Sequence, residues 1–333
     1  MNLKDVSSHK LFSHIYVEED ALSYEMTSRV ISSLPGSHVV PIRHYKDVFN
    51  RKHQDIPCQT RGGKKLILAV NRGTLIYKGA SVCQDFGNSE FFYATPAMNC
   101  VFDCDYCFLK GMYDTANIVL FVNTDDYERE VKKRLEDGPL HLHISYDTDV
   151  FPLEKISGIV SFWTSLAQEL DGLTIEIRTK SAPSVFTPSP KIIYAFTISP
   201  DEITERFEHR TASLDQRLRS VSLAIKSGCR VRLCFDPMIY VKGYKEIYSR
   251  MTDKVISSVD LQAVDDISIG TFRISGDYIR DLRKNAPDSA AVQFPFVKKD
   301  NVMRYPDVLE KEMKEYIRSR LKDVFDEEKI YEY

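Results

Sequence analysis

The sequence predicts an α/β protein, a partial (β/α)6 TIM barrel preceded by a small N-terminal α/β unit. Three observations carry that reading. After residue 118, short runs rich in β-branched residues alternate with amphipathic stretches, the pattern of a parallel sheet with crossover helices. Several runs end in dense polar segments, as expected where barrel strands open onto a site. Three of the seven cysteines are bunched in Cys100-Val-Phe-Asp-Cys104-Asp-Tyr-Cys107, directly after a strand-like Phe91-Phe-Tyr-Ala.

The elements follow in order. His14-Ile-Tyr-Val-Glu reads as a strand, Ala21 to Leu34 as a helix stopped by Pro35-Gly36, and Val39 to Ile42 as a second strand, a small βαβ cap. Residues 43–65 form the densest basic stretch, with Arg43, His44, Lys46, Arg51, Lys52, His53, Arg61, Lys64 and Lys65. It is either a phosphate-contacting arm or a solvated loop. Strands are expected at Lys65–Asn71 and Thr74–Tyr77, at Phe91–Ala94 before the cysteines, and at Ile118–Val122 after them. A helix from Asp125 to Glu136, a strand Leu140–Ser145 and a helix Leu153–Leu170 come next. Strands Leu173–Thr179 and Ile192–Ser199 precede helices Asp201–Phe207 and Ser213–Lys226, the latter closed by Gly228. Strand Arg230–Phe235, helix Tyr244–Val259, strand Ile267–Phe272, a short helix at Tyr278–Arg283, a loop and a final helix Asp307–Phe325 complete the chain. The expected divisions are 1–64 for the cap and basic arm, 65–290 for the barrel and 291–333 for the C-terminal loop and helix.

With 43% hydrophobic and 28% charged residues the chain is globular, not disordered. No run of about 18 apolar residues suggests a membrane span, and the first residues show no apolar core of a secretory signal. An odd cysteine count with a tight cluster argues for metal ligation in a reducing compartment, which places the protein in the cytoplasm. The net charge of −3 leaves nucleic-acid binding to a local basic patch.

Three thiolates at CxxxCxxC spacing suit a soft metal centre. A structural zinc site wants four ligands, and no fourth Cys or His follows at short range; zinc remains the alternative. A [4Fe–4S] cluster held by three cysteines keeps one iron open. With Tyr106 before the last cysteine, the stretch resembles the signature of the radical S-adenosylmethionine (SAM) enzymes. That resemblance implies a cluster on Cys100, Cys104 and Cys107, with SAM on the open iron cleaved to a 5′-deoxyadenosyl radical.

The strand ends supply the remaining candidates. His143-Ile-Ser-Tyr146-Asp-Thr148-Asp149 is a site rim or a capping loop, or both. Lys180 is placed to bind a carboxylate such as that of SAM, or is a surface lysine. Thr197 and Ser199 share a strand face and reach the sugar or methionyl part of SAM, or begin a helix. Arg232, Cys234 and Asp236 share another face, where Arg232 and Asp236 are expected to pair and Cys234 is either the thiol nearest the chemistry or a small core residue. His141 and His143 face one side of their strand, as ligands or, more commonly, as core or rim residues. Cys58, Cys83 and Cys229 are assigned no metal, and Trp163 is assigned to packing.

Beyond the triplet, much of the chain resembles spore photoproduct lyases. The resemblance rests on the cysteine segment, Ser145 to Asp149, Thr179-Lys180, Phe196-Thr-Ile-Ser, Phe207-Glu-His-Arg-Thr-Ala-Ser-Leu-Asp-Gln-Arg, Asp236-Pro-Met-Ile-Tyr240, Gly243-Tyr244 and Ile330-Tyr-Glu-Tyr. It implies a [4Fe–4S] cluster, SAM and a DNA substrate, a thymine photoproduct from which the radical abstracts hydrogen at C6. It also implies an electron donor such as flavodoxin or ferredoxin, SAM contacts from Tyr106, Thr148, Lys180, Thr197, Ser199 and Asp236, and catalytic roles for Tyr106 and the hydrogen donor. The basic arm gains weight as a DNA contact. The sequence departs from the family where Tyr146 replaces the hydrogen-donating cysteine and Phe108 replaces a tyrosine, and the basic hairpin keeps only Lys298, Lys299 and Arg304. Tyr146 or Cys234 then takes the donor role, or the substrate is another nucleic acid, a nucleotide or a peptide.

Overall fold

A computed structural model describes residues 12–79, 86 and 91–333; Cys83 lies outside them. The described residues fall into two compact units, the first comprising 12–79, 91–101 and 113–177 and the second residue 86, 102–112 and 178–333.

The first unit opens with the expected parallel pair, His14–Glu18 beside His38–Ile42, linked by a helix at Glu25–Ser33. That helix begins later than its apolar spacing suggests, because Glu19–Ala21 winds as a 3-10 turn first. Leu66–Ala69 and Ile118–Phe121 extend the same sheet in parallel, every residue buried. Ile118–Phe121 therefore leaves the barrel alternation in which the sequence placed it. A four-residue apolar run fits any sheet buried on both faces, so periodicity could not assign it.

The barrel strands of this unit are β1 (Phe91–Ala94), β2 (Leu140–His143) and β3 (Leu173–Thr179). β1 pairs with β2 and β2 with β3, all parallel. The helix expected over Leu153–Leu170 is two, Phe151–Ser157 and Ile159–Glu169, parted at Gly158. Its φ of 72° lies in the left-handed region that favours glycine. The basic stretch is ordered as two short helices, Lys46–Phe49 and Ile56–Gly62, anchored by buried Val48, Phe49 and Ile56. Arg43, Lys46, Arg51, Lys52 and Arg61 remain exposed.

In the second unit β4 (Ile192–Thr197), β5 (Arg230–Met238) and β6 (Asp266–Thr271) run parallel, with Ile330–Glu332 added beside β6. The helix Leu214–Lys226 starts at a capping box in which Ser213 and Gln216 satisfy each other's backbone N–H. The segment read from sequence as a loop before the last helix holds an antiparallel hairpin, Val297–Lys299 with Val302–Arg304. Asp300 and Asn301 turn it with φ of 49° and 61°, the left-handed pair of a two-residue hairpin. No helix among the described residues is long and apolar enough to cross a membrane.

Candidate active site

The cysteine loop is held from both limbs. In the first unit, Asn99 adopts φ 65° and its amide donates to the carbonyls of Thr115 and Asn117, each at 2.8 Å. The ammonium of Lys64, buried here and so withdrawn from the basic arm, donates to the Cys100 carbonyl at 2.7 Å and the Val101 carbonyl at 3.3 Å. In the second unit, Asp103–Cys104 pairs antiparallel with Glu208–His209, and the Asp105 N–H donates to the Phe207 carbonyl at 2.8 Å. Lys110 bridges back to Asp103 at 2.7 Å. Gly111 lets the short helix after Cys107 lie against Tyr278, whose carbonyl oxygen would be 2.3 Å from a Cβ there. Cys100, Cys104 and Cys107 are free thiols, Cys104 buried and the other two partly exposed. Three soft donors on one braced loop, with a buried ammonium on the carbonyl beside the first of them, fit a cluster that takes three thiolates and carries negative charge.

Next to this loop in the second unit, Glu208 gathers three residues. It accepts from the Tyr106 hydroxyl, from Ser199 Oγ at 2.8 Å and from Arg217 Nη2 at 2.5 Å. Arg217, itself fully buried, also donates to the carbonyls of Thr197 at 3.0 Å and Ala212 at 2.9 Å. Lys180 stands over the Tyr106 ring, its nitrogen 5.7 Å from the centroid. Burial alone would raise the Glu208 carboxyl, but Arg217, Lys180 and the Tyr106 hydroxyl bring it down to about 2. Burial and the adjacent carboxylate push the Tyr106 phenol far up, so it stays protonated and donates. Tyr106, Lys180, Thr197 and Ser199, all nominated from sequence, are thus assembled. Their organisers, Glu208 and Arg217, were not nominated. A signal existed for Arg217, a charged residue on the apolar stripe of Leu214, Leu218 and Val221.

Asp236 organises a second group. It accepts from Arg178 Nη2 at 2.8 Å, Arg273 Nη1 at 2.9 Å and the Tyr333 hydroxyl at 2.6 Å, while Arg273 stacks 3.9 Å over the Tyr333 ring. Against the upward push of burial, Arg273 and Arg178 hold this carboxyl well below the usual range. The expected Arg232–Asp236 pair does not form. Arg232 pairs with Asp266, its register partner on β6, at 2.8 Å between Nη2 and Oδ2. Residues four apart on a strand are about 13 Å apart, whereas a lateral neighbour is about 5 Å away. Cys234 is fully buried.

In the first unit, Tyr146 stacks on Tyr93 at 4.3 Å, and Tyr93 on Tyr77 at 5.2 Å. Asp147, one residue on, accepts from Thr95 Oγ1 at 2.7 Å and is pushed up to about 6 by burial. Thr148 is buried, and Asp149 accepts the Phe151 N–H at 3.2 Å, but the N-cap of that helix is Val150, with no side-chain cap bond, so neither Thr148 nor Asp149 takes the capping place read for this run.

Comparison with known proteins accords with this arrangement. A family model described as Spore photoproduct lyase matches residues 11–333. Spore photoproduct lyase of Clostridium acetobutylicum is 21% identical over 259 residues, 73% of this chain and 74% of the relative. Among solved structures, a variant of spore photoproduct lyase superposes with a TM-score of 0.80 at 16% identity, covering 97% of this chain and 98% of the other. Spore photoproduct lyase complexed with dinucleoside spore photoproduct gives 0.78 with the same identity and coverage. These structures share the α/β partial barrel, and the match over nearly the whole sequence means that the chain belongs to the spore photoproduct lyase family, a family of radical SAM lyases.

Proposed function

We propose that the chain binds a [4Fe–4S] cluster on Cys100, Cys104 and Cys107 and uses SAM to repair the spore photoproduct in DNA. One observation carries the reading: a braced loop of three free thiols lies within a chain that the lyase family model matches from residue 11 to 333. When bound, the cluster supplies the electron that cleaves SAM to the 5′-deoxyadenosyl radical.

The chain's own residues position that chemistry. Tyr106, fixed by Glu208, stiffens the loop between Cys104 and Cys107. Lys180 offers its ammonium to the SAM carboxylate, and Thr148, Thr197, Ser199 and Asp236 supply polar contacts from the strand ends, as is usual for barrel sites. Tyr146 returns a hydrogen atom to the product radical, because a phenol is a competent donor and its ring is already braced on Tyr93, and the tyrosyl radical so formed is restored by one electron from the flavodoxin or ferredoxin and one proton. Cys234 is the other donor candidate, and its complete burial ranks it second. The exposed cations of the 43–65 arm, with Lys298 and Lys299 of the hairpin, contact DNA phosphates, and the lesion is extruded toward the site. A small acidic flavodoxin or ferredoxin delivers the electron. The free state of every described cysteine supports a reducing, cytoplasmic setting.

The test is anaerobic reconstitution with iron and sulfide, followed by assay of 5′-deoxyadenosine and thymine recovery with a spore-photoproduct dinucleotide. Both products should appear in step. Tyr146 at the donor position favours a second reading, a lyase-like enzyme acting on another nucleic acid or nucleotide. SAM cleavage without thymine recovery would select it.

A further inference from the structure

The strand β2 carries two histidines that the repair chemistry does not use. Strand alternation sets His141 and His143 on one face, and the register places Glu176 of β3 directly opposite His143. All three side chains are buried, with relative exposures of 7%, 9% and 0%. One carboxylate oxygen of Glu176 lies 3.0 Å from Nε2 of His143 and 3.6 Å from Nε2 of His141. One ligand atom from each residue falls within 4.8 Å of the other two. Nε2 of His141 makes no hydrogen bond although it is buried and aimed at this carboxylate. Phe91 closes one side, its ring edge-on to His143 at 4.5 Å.

We propose that His141, His143 and Glu176 form a mononuclear site for a divalent transition cation of the Zn2+ or Fe2+ class, distinct in donors from the thiolate loop. Ligands about 2.0–2.1 Å from a tetrahedral ion lie about 3.3 Å from one another. The two observed separations bracket that value, so the side chains need little rearrangement to close on an ion. Two imidazoles and a carboxylate are the donors that borderline cations choose, and they leave coordination positions for water or an anionic ligand.

The experiment uses the reconstituted full-length protein, stripped of loosely held metal and titrated with Zn2+ under anaerobic conditions. One equivalent should remain after gel filtration, beyond the iron of the cluster. Zinc K-edge absorption should show a first shell of nitrogen and oxygen without sulfur. His141→Asn and Glu176→Gln should each weaken Zn2+ binding by more than the roughly 10–100-fold cost of losing an outer-shell partner, with the iron content of the cluster unchanged. No retained equivalent, or a sulfur-containing shell, overturns the proposal, as does undiminished affinity in both variants; the wild-type spectrum decides the matter even where a variant does not fold. None of these readouts depends on SAM cleavage, so the repair reading stands or falls separately.

Discussion

Replacing Arg217 with Met tests whether Glu208 is the organiser of the cysteine-loop end of the site. Both side chains of the Arg217–Glu208 pair have no solvent exposure. The substitution keeps an unbranched apolar stem, shorter than the arginine, but removes the donors to Glu208, Thr197 and Ala212. Breaking one half of a buried ion pair costs about 3–5 kcal/mol, since the other charge is left uncompensated. Titration gives an independent figure. A Glu208 carboxyl lowered from 4.5 to about 2 contributes about 3 kcal/mol at neutral pH. Because the folded value lies below the unfolded one, this stability is fully present above pH 4.5 and is lost as the pH falls from there to 2. Arg217→Met should therefore lower the melting temperature at pH 7.5 by about 5–10 °C and flatten the acid limb of the stability profile below pH 4.5. Adding Glu208→Leu to it should recover most of the loss, because an apolar pair replaces a broken ionic one, yet leave Tyr106 without its acceptor and SAM cleavage slow. Thermal melts from pH 3 to 8 measure the first effect and 5′-deoxyadenosine formation the second. A single variant costing under about 1 kcal/mol, or a double variant no more stable than the single, would refute the reasoning.

Other outcomes follow from the same geometry. Cys104→Ala should lose cluster iron and all SAM cleavage, read by iron content and 5′-deoxyadenosine; retained activity would remove the cluster assignment. Lys64→Met strips the cation from the Cys100 and Val101 carbonyls and should lower cluster occupancy after reconstitution, measured as iron per chain. Tyr146→Phe keeps the ring stacked on Tyr93 and should preserve SAM cleavage while thymine recovery falls at least about a hundredfold, the low end of what a positioned proton-transfer group contributes. Asp147, raised from 3.8 to about 6 by burial, makes the native state bind its proton more tightly than the unfolded chain does. Stability should thus decline as the pH rises from 3.8 to about 6, and Asp147→Asn should gain up to about 3 kcal/mol at pH 7.5, seen as a higher melting temperature and a flatter profile between pH 4 and 6.

The sequence disclosed elements through local signals and failed where the signal was distant. Ser213 with Gln216 and the apolar stripe behind them marked the start of one helix, and Gly228 its end, because capping and periodicity act within a few residues. Lys180 and Ser199 were nominated because polar residues after apolar strands mark a rim, and Tyr106 because it precedes the last cysteine of the triplet. Glu208 escaped because it lies in a two-residue strand whose partner, Asp103–Cys104, is about a hundred residues earlier. The Arg232 error has the same origin, since β5 alone cannot reveal that Asp266 lies beside it. Ile118–Phe121 was recognised as a strand but put in the wrong sheet, as an apolar run records burial and not its neighbour. The hairpin at Asp300-Asn301 was read as a loop, although a two-residue polar turn between Val297-Lys-Lys and Val302-Met-Arg is a local hairpin signal.

The two buried carboxylates fix both nominated and unnominated polar residues to the protein. Ser199 and Tyr106 end on Glu208, while Arg178, Arg273 and Tyr333 end on Asp236. A group already fixed by an internal partner gives up little rotamer freedom when a ligand arrives, and radical chemistry gains from that rigidity because a misplaced radical attacks the protein. The cost is desolvation of each carboxylate, which the arginines offset by holding both ionised. Tyr146 lies in other surroundings, held by ring stacking beside a carboxyl pushed up to about 6. Stacking fixes the plane of the ring, so substitutions that keep the ring test the hydroxyl alone.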